Sequence, residues 1–200
     1  MRRTRGLSLM ETLIAMTVTM VIAGVVLGIF TQGAKGFTDT QSRTLVNRAV
    51  ETAEIEIGKM AKQAMNAEVV NGRLHLTMPK DTDAYGHPVP VKNDEEPEYR
   101  EGETFAFYLS NESGDTKAVG NVLWMGLVDK AGKITPDAQW SLQGSTGRIW
   151  PITMFVPTVE IGTAGICVKA EIESNWKVKD EQWIARRSLA QNLKNANSWR

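Results

Sequence analysis

The chain has 200 residues, and its 23 Lys and Arg residues balance 23 Asp and Glu residues at a formal net charge of zero. That length holds one core-forming domain with an appendage, and the 42% hydrophobic share excludes a disordered chain. The neutral balance gives no reason to expect nucleic acid as a partner. One Cys and two His exclude an intramolecular disulfide and a structural zinc cluster.

The first forty residues concentrate the apolar character of the chain. Arg2, Arg3 and Arg5 precede an apolar run that has no ionisable residue from Thr12 to Ala34. At about 1.5 Å per residue, a helix from Leu7 to Phe30 spans about 36 Å, enough to cross the core of a bilayer. The excess of Arg before the run predicts a cytoplasmic N-terminus and an extracytoplasmic domain after it.

Glu11 lies one helical turn inside this apolar segment, where a carboxylate is costly and therefore indicates a functional site. The alternative is that Glu11 reaches the headgroup region and does nothing else. A secretory signal peptide would have a shorter apolar region of about 7–15 residues, and the small residues Gly33 and Ala34 lie well past this run. A plain signal anchor does not account for Glu11.

The Arg-rich leader ends in Gly6, the apolar Leu7 follows, and Glu11 is the fifth residue after that glycine. With the long apolar helix behind it, this arrangement resembles the N-terminal signal of type IV pilins and type II secretion pseudopilins over residues 5–30. The resemblance implies that a prepilin peptidase cuts between Gly6 and Leu7 and methylates the new Leu7 amine. It also implies that Glu11 faces the cationic N-terminal amine of a neighbouring subunit during assembly. Leu7 departs from the Phe that is usual in the family.

Gly24 and Gly28 form a pair of small residues four positions apart, which allows helices to approach closely. The alternative is that glycine is simply common in membrane helices. In the family that the chain resembles, this stretch often carries a helix breaker that melts in the filament. Gly28, followed by Gly33 and Gly36, is the candidate for that role here, although the stretch has no Pro.

The helix is expected to continue beyond the membrane as an amphipathic segment. Its apolar residues recur at steps of three and four. They are Val46, Ala49, Val50, Ala53, Ile57, Met60, Ala61, Ala64 and Ala67. The expected division is therefore a leader peptide at residues 1–6, a transmembrane segment at 7–34, an amphipathic continuation of the helix at 35–68 and an extracytoplasmic β-rich domain at 69–200.

The pattern changes to period two after the helix. Asn71-Gly72 between two apolar runs predicts a β-hairpin. The polar residues 80–102 predict a loop, and Pro residues in the apolar stretch 149–161 predict an edge strand. Residues 166–172 are the clearest strand, with 183–189 as its expected antiparallel partner.

The predicted class is α+β, with one long N-terminal helix packed on an antiparallel β-sheet, and the polar tail from Ala190 is predicted to be a short helix or unstructured. This is the pilin-like ladle that the resemblance implies. The size of the domain and its polar insertion look most like the J-type pseudopilins of type II secretion and the W-type minor pilins.

The chain has none of the sequence motifs of catalysis that we sought: a phosphate-binding loop, a zinc-protease motif or a nucleophile elbow. His75 is predicted to be a solvent-facing strand residue, His87 to lie in a loop, and Cys167 to pack as a small apolar residue. The acidic stretch 81–98 is predicted to be a solvated loop, with calcium binding as the alternative. We therefore predict neither an enzyme nor a cofactor or metal site.

The predicted function is that of a minor pilin or pseudopilin subunit, which assembles into a type IV pilus or a type II secretion pseudopilus after its leader is removed. Its implied partners are a prepilin peptidase, other pilins or pseudopilins, an inner-membrane assembly platform and the membrane itself, without nucleic acid. Its implied location is the inner membrane and then the filament. The alternatives are a signal-anchored extracytoplasmic binding or enzymatic domain, and a component of a competence pseudopilus.

Overall fold

The computed structural model describes residues 9–84, 88–91, 99–136, 148–163, 165–178 and 181–193. The chain divides into two compact units, Met1–Ser42 and Arg43–Arg200. One helix, α1, comprises Leu9–Gln63, so the described part of the first unit is entirely helical. All the described β-strands belong to the second unit.

The part of α1 in the second unit is amphipathic, as the spacing of its apolar residues predicts. Its buried residues are small or β-branched. They are Val46, Ala49, Val50, Ala53, Ile57 and Ala61. The opposite face carries exposed charged residues that include Glu51 and Lys59, together with the exposed Ile55. Because the buried stripe has few bulky side chains, other elements can approach the helix closely.

The helix ends at Gln63, so the predicted end at residue 68 is wrong. The amide of Ala64 still donates to the carbonyl of Met60, but the amide of Met65 donates to Thr77 in a strand. Residues 66–68 therefore belong to the first strand. Ala67 is buried in the strand, and its spacing also fits the buried stripe of a helix, which is why that spacing gave no sign of the change.

The first sheet is antiparallel and its main path follows the chain order β1-β2-β3-β4-β5. Two short strands, β5 and β6, pair with different parts of β4. The six strands are β1 (Asn66–Val70), β2 (Arg73–Pro79), β3 (Glu101–Ser110), β4 (Val122–Val128), β5 (Ile134–Pro136) and β6 (Arg148–Ile149).

The turn between β1 and β2 confirms the predicted hairpin. Asn71 and Gly72 join the two strands with φ values of 52° and 74°. A two-residue hairpin turn with positive φ at both positions matches the twist of the flanking strands, and Asn-Gly is the pair that most readily adopts it. The hairpin thereby sets the register that places Glu68 opposite His75.

The second sheet is a three-stranded antiparallel meander of β7 (Met154–Gly162), β8 (Gly165–Val178) and β9 (Glu181–Asn192). The strand predicted at 166–172 has the strand predicted at 183–189 as its antiparallel partner, as expected, and in the observed register Ala170–Ile172 lie opposite Arg187–Leu189. β7, which contains Pro157, is an edge strand as expected. The tail differs from its prediction, because Ala190–Asn192 extend β9 alongside β8. Residues 194–200 lie outside the described residues.

The main core contains residues of α1 and of both sheets, and its helix residues all lie at or after Val46. Edge strand β1 of the first sheet lies beside β7 of the second. A second cluster of buried side chains lies on the other face of the first sheet, on β3, β4 and β5. It consists of Ala106, Tyr108, Val122, Trp124 and Ile134. The α+β class is confirmed, with two sheets in place of the single sheet expected.

The prediction for His75 is wrong, because the second face of the first sheet also carries buried side chains. This residue in β2 is 8% exposed and is not a solvent-facing residue. Its neighbours Leu74 and Leu76 point to the main core, so His75 lies on the opposite face of the strand. The alternation of β2 was interpreted correctly, but both faces of this sheet carry buried side chains.

A substitution at Gly120 tests how closely the β3–β4 connection is packed. A Cβ at this position would overlap the carbonyl oxygen of Ser110, a backbone atom that cannot move independently. We expect Gly120→Ala to lower the free energy of unfolding by about 1–3 kcal/mol, as overpacking does. The measurement is thermal unfolding followed by circular dichroism.

Gly162→Ala is the matched control, because a Cβ there meets nothing within 4 Å. Equal melting temperatures for the Gly120→Ala and Gly162→Ala variants would contradict the predicted close contact.

Candidate functional site

The part of α1 from Leu9 to Phe30, in the first unit, exposes its apolar side chains. Every large apolar side chain from Leu9 to Phe30 is exposed, from 45% at Val26 to 82% at Leu9. Exposed apolar surface of this extent normally marks contact with a membrane or with another protein. Among the described residues, α1 is the one helix that is long and apolar enough to cross a membrane.

The threonine hydroxyls in this segment are satisfied by the backbone of the helix itself. Thr12 donates to the carbonyl of Leu9 and Thr17 donates to that of Ile14, each at 2.8 Å. Thr19 donates to the carbonyl of Ala15 at 2.7 Å. These hydroxyls therefore need no water, which is a requirement for polar groups that face hydrocarbon.

Glu11 lies in the first described turn of α1 and is exposed. A carboxylate near a helix N-terminus interacts favourably with the positive end of the helix dipole. Gly6 and Leu7, the predicted processing site, lie outside the described residues. Of the three residues of the predicted signal, the structure describes only Glu11, which lies at the start of the apolar helix.

Gly24 and Gly28 lie within the helix and share a face because they are four residues apart. A Cβ at either position would meet nothing within 4 Å. The pair therefore leaves a shallow depression on an open surface, where another helix can approach the backbone. The helix assignment continues through both glycines without a break.

Two contacts between α1 and β9 in the second unit were not predicted. The Arg43 guanidinium lies 4.5 Å from the centre of the Trp183 ring. Farther along both elements, Arg187 Nε is 3.9 Å from Glu54 Oε2. These residues are far apart in the sequence, and no local pattern connects them. Together with buried Leu189, they fix β9 along the helix.

The outward face of the second sheet carries paired charges. Lys169 donates a hydrogen bond of 2.7 Å to Glu160, and this bond raises the pKa of Lys169 above its usual value. Arg186 Nε lies 2.5 Å from Glu173, its cross-strand neighbour. Opposite charges on adjacent strands support the pairing of β7, β8 and β9. This face has the character of a solvated surface.

The residues that could act as nucleophiles or metal ligands do not lie together in one site. Ser113 Oγ donates to Asn111 within its own loop, and Cys167 is a half-buried residue of β8 on the side away from the core. Within the described ranges, no group of three His, Cys, Asp or Glu residues could hold a metal ion. His87 and residues 92–98 lie outside those ranges, and the latter include four of the six acidic residues of the stretch considered for calcium.

Comparison with known proteins adds no further assignment. No family model, no curated protein and no solved structure matches the chain. The candidate site therefore consists of the exposed apolar helix Leu9–Phe30 with Glu11 at its start and the Gly24–Gly28 pair within it.

The apolar surface of this helix predicts stable insertion into a membrane. After alkaline carbonate extraction of cell membranes, we expect the full chain to stay in the membrane pellet. A Val21→Arg, Val25→Arg variant should shift to the soluble fraction, because each Arg at the centre of a spanning helix costs about 2.5–3.5 kcal/mol.

The matched control is Val21→Ala, Val25→Ala, which shortens the same side chains without adding charge. Recovery of the unaltered chain in the carbonate supernatant would contradict membrane insertion.

Proposed function

We propose that this chain is a minor subunit of the type IV pilin and type II pseudopilin class. The single observation that carries the proposal is the register of the N-terminal segment. Gly6 follows an Arg-rich leader, Leu7 comes next, Glu11 is the fifth residue after the glycine, and a long apolar helix continues from there.

The exposed helix supports this proposal because its apolar surface needs to be covered, either by lipid or by other protein. Before assembly, the apolar residues from Leu9 to Phe30 are covered by lipid. After assembly, the same surface is covered by the helices of neighbouring subunits, with Gly24 and Gly28 allowing close approach. The arrangement of the second unit, a helix packed on antiparallel sheets, is compatible with the ladle of this class.

Glu11 has a specific part in the proposed assembly. A carboxylate in a medium of low polarity is costly when alone and tolerated when paired. Cleavage before Leu7 creates an N-terminal amine, and this amine on a neighbouring subunit supplies the positive partner. The pairing selects the register between subunits more than it adds stability.

Cleavage also changes the charge of the subunit. The leader carries Arg2, Arg3 and Arg5, so the mature chain has 23 − 3 = 20 basic residues against 23 acidic ones. The mature subunit is therefore acidic by three charges. In this proposal the second unit is a module for binding and assembly on the extracytoplasmic side of the inner membrane.

The cleavage site is tested by mass spectrometry of the protein extracted from membranes. In a host with prepilin peptidase, we expect an N-terminal peptide that begins at Leu7 and carries one added methyl group. In a host without the peptidase, the leader should remain attached. A chain that keeps residues 1–6 in the peptidase-positive host, or that begins near residue 35, would refute the proposal.

The role of Glu11 is tested by co-purification of the chain with its filament partners. We expect Glu11→Ala to reduce co-assembly strongly, while its insertion into the membrane and its cleavage stay unchanged. Thr19→Ala is the matched control, since it removes a polar group on the same helix that already bonds to its own backbone. Equal co-assembly of the Glu11→Ala variant and the unaltered chain would favour a signal-anchored domain instead.

A further inference from the structure

His75 is a buried titratable residue that the proposed function does not use. It is the third residue of β2, and it is 8% exposed. Its Nε2 atom is buried and has no hydrogen-bond partner in the described part of the chain. Its Nδ1 atom lies 3.8 Å from Oε1 of Glu68, the residue directly opposite on β1. One side of the ring thus faces a carboxylate, and the other side has no acceptor among the described residues.

The charged groups that act on His75 come from β1 and from its own strand. Burial lowers the pKa of His75, Glu68 raises it to a smaller extent, and Arg73 lowers it further. On the other side, β3 places the uncharged Ala106 opposite His75. The Glu68 side chain is 62% exposed, so water weakens its attraction for the ring. The neutral form of His75 is therefore favoured in the closed structure.

β1 is the strand that can separate from the sheet when His75 gains a proton. It has five residues, and within the described structure it is hydrogen-bonded as a strand only to β2. Its Asn66, Glu68 and Val69 are exposed. A short edge strand with few buried side chains opens at lower free energy than the centre of a sheet. Since β1 lies directly across from His75, its separation also admits water to the imidazole.

We propose that β1 is an acid-sensitive edge of the domain, which separates from β2 when His75 is protonated while the other strands stay paired. A proton on the ring adds a positive charge at a place where Nε2 has no acceptor, and opening of β1 solvates that charge. The opened state uncovers the hydrogen-bonding edge of β2 and the side chain of Ala67. The proposal does not depend on the proposed function.

The direction of the pH effect follows from linkage. In the opened state, His75 has its ordinary pKa of 6.5, and in the closed state its pKa is lower. The opened state therefore binds more protons between these two values. The closed form of β1 keeps its full stability above pH 6.5 and loses part of it as the pH falls from there through the lowered pKa.

The test is hydrogen exchange of the full chain in detergent micelles, followed by mass spectrometry at about pH 7.5 and about pH 5, on either side of the ordinary histidine pKa. Each rate is divided by the intrinsic rate at that pH. We expect peptides from β1 and β2 to lose protection at the lower pH, while peptides from β8 keep theirs. His75→Gln, which cannot be protonated, should keep the protection of β1 at both pH values.

Glu68→Gln provides a second, independent variant. It removes the attraction for the protonated ring, so the loss of protection at low pH should be larger than in the unaltered chain, with no change near pH 7.5. Unchanged protection of β1 at low pH would overturn the proposal. So would an equal loss in β8, or the same loss in the His75→Gln variant.

Discussion

The buried stripe of α1 between Val46 and Ala61 is the surface on which the second unit is built. Ala53, Ile57 and Ala61 are completely buried, and both sheets contribute side chains to the same core. The stripe works because most of its residues are small, so that the helix and the sheets come close together. At Gly58 an added Cβ would lie only 3.2 Å from Leu189 in β9. The position of β9 therefore depends on the small residues of the helix.

The elements that were predicted correctly are those specified by nearby residues. Asn71 and Gly72 determine the β1–β2 turn by their own backbone preferences. The alternation from Ile166 to Ile172 shows a strand with one buried face. The end of α1 was predicted wrongly because Ala64 and Ala67 fit a helical stripe as well as they fit the path into β1. What ends the helix is the amide of Met65 binding to Thr77, a contact with a strand that comes later in the chain.

For the candidate site, the sequence is more informative than the structure. Gly6, Leu7 and Glu11 are informative only through their order along the chain, and a fold of the isolated chain contains none of the partners that they would meet. The burial of His75 could be seen only in the structure, because the sequence shows which residues alternate but not that both faces of the sheet carry buried side chains. The contact of Arg43 with Trp183 likewise depends on how the second sheet lies on the helix.

The threonines of the apolar helix also affect how strongly this helix prefers a membrane to water. Thr12, Thr17 and Thr19 count as polar residues in any composition, yet each hydroxyl is occupied by a carbonyl of the preceding turn. What such a residue presents outward is mainly its methyl group, as valine would. The helix is therefore less polar to a surrounding lipid than its amino-acid content suggests. A hydropathy average that scores threonine as a free hydroxyl underestimates how strongly this segment prefers hydrocarbon to water.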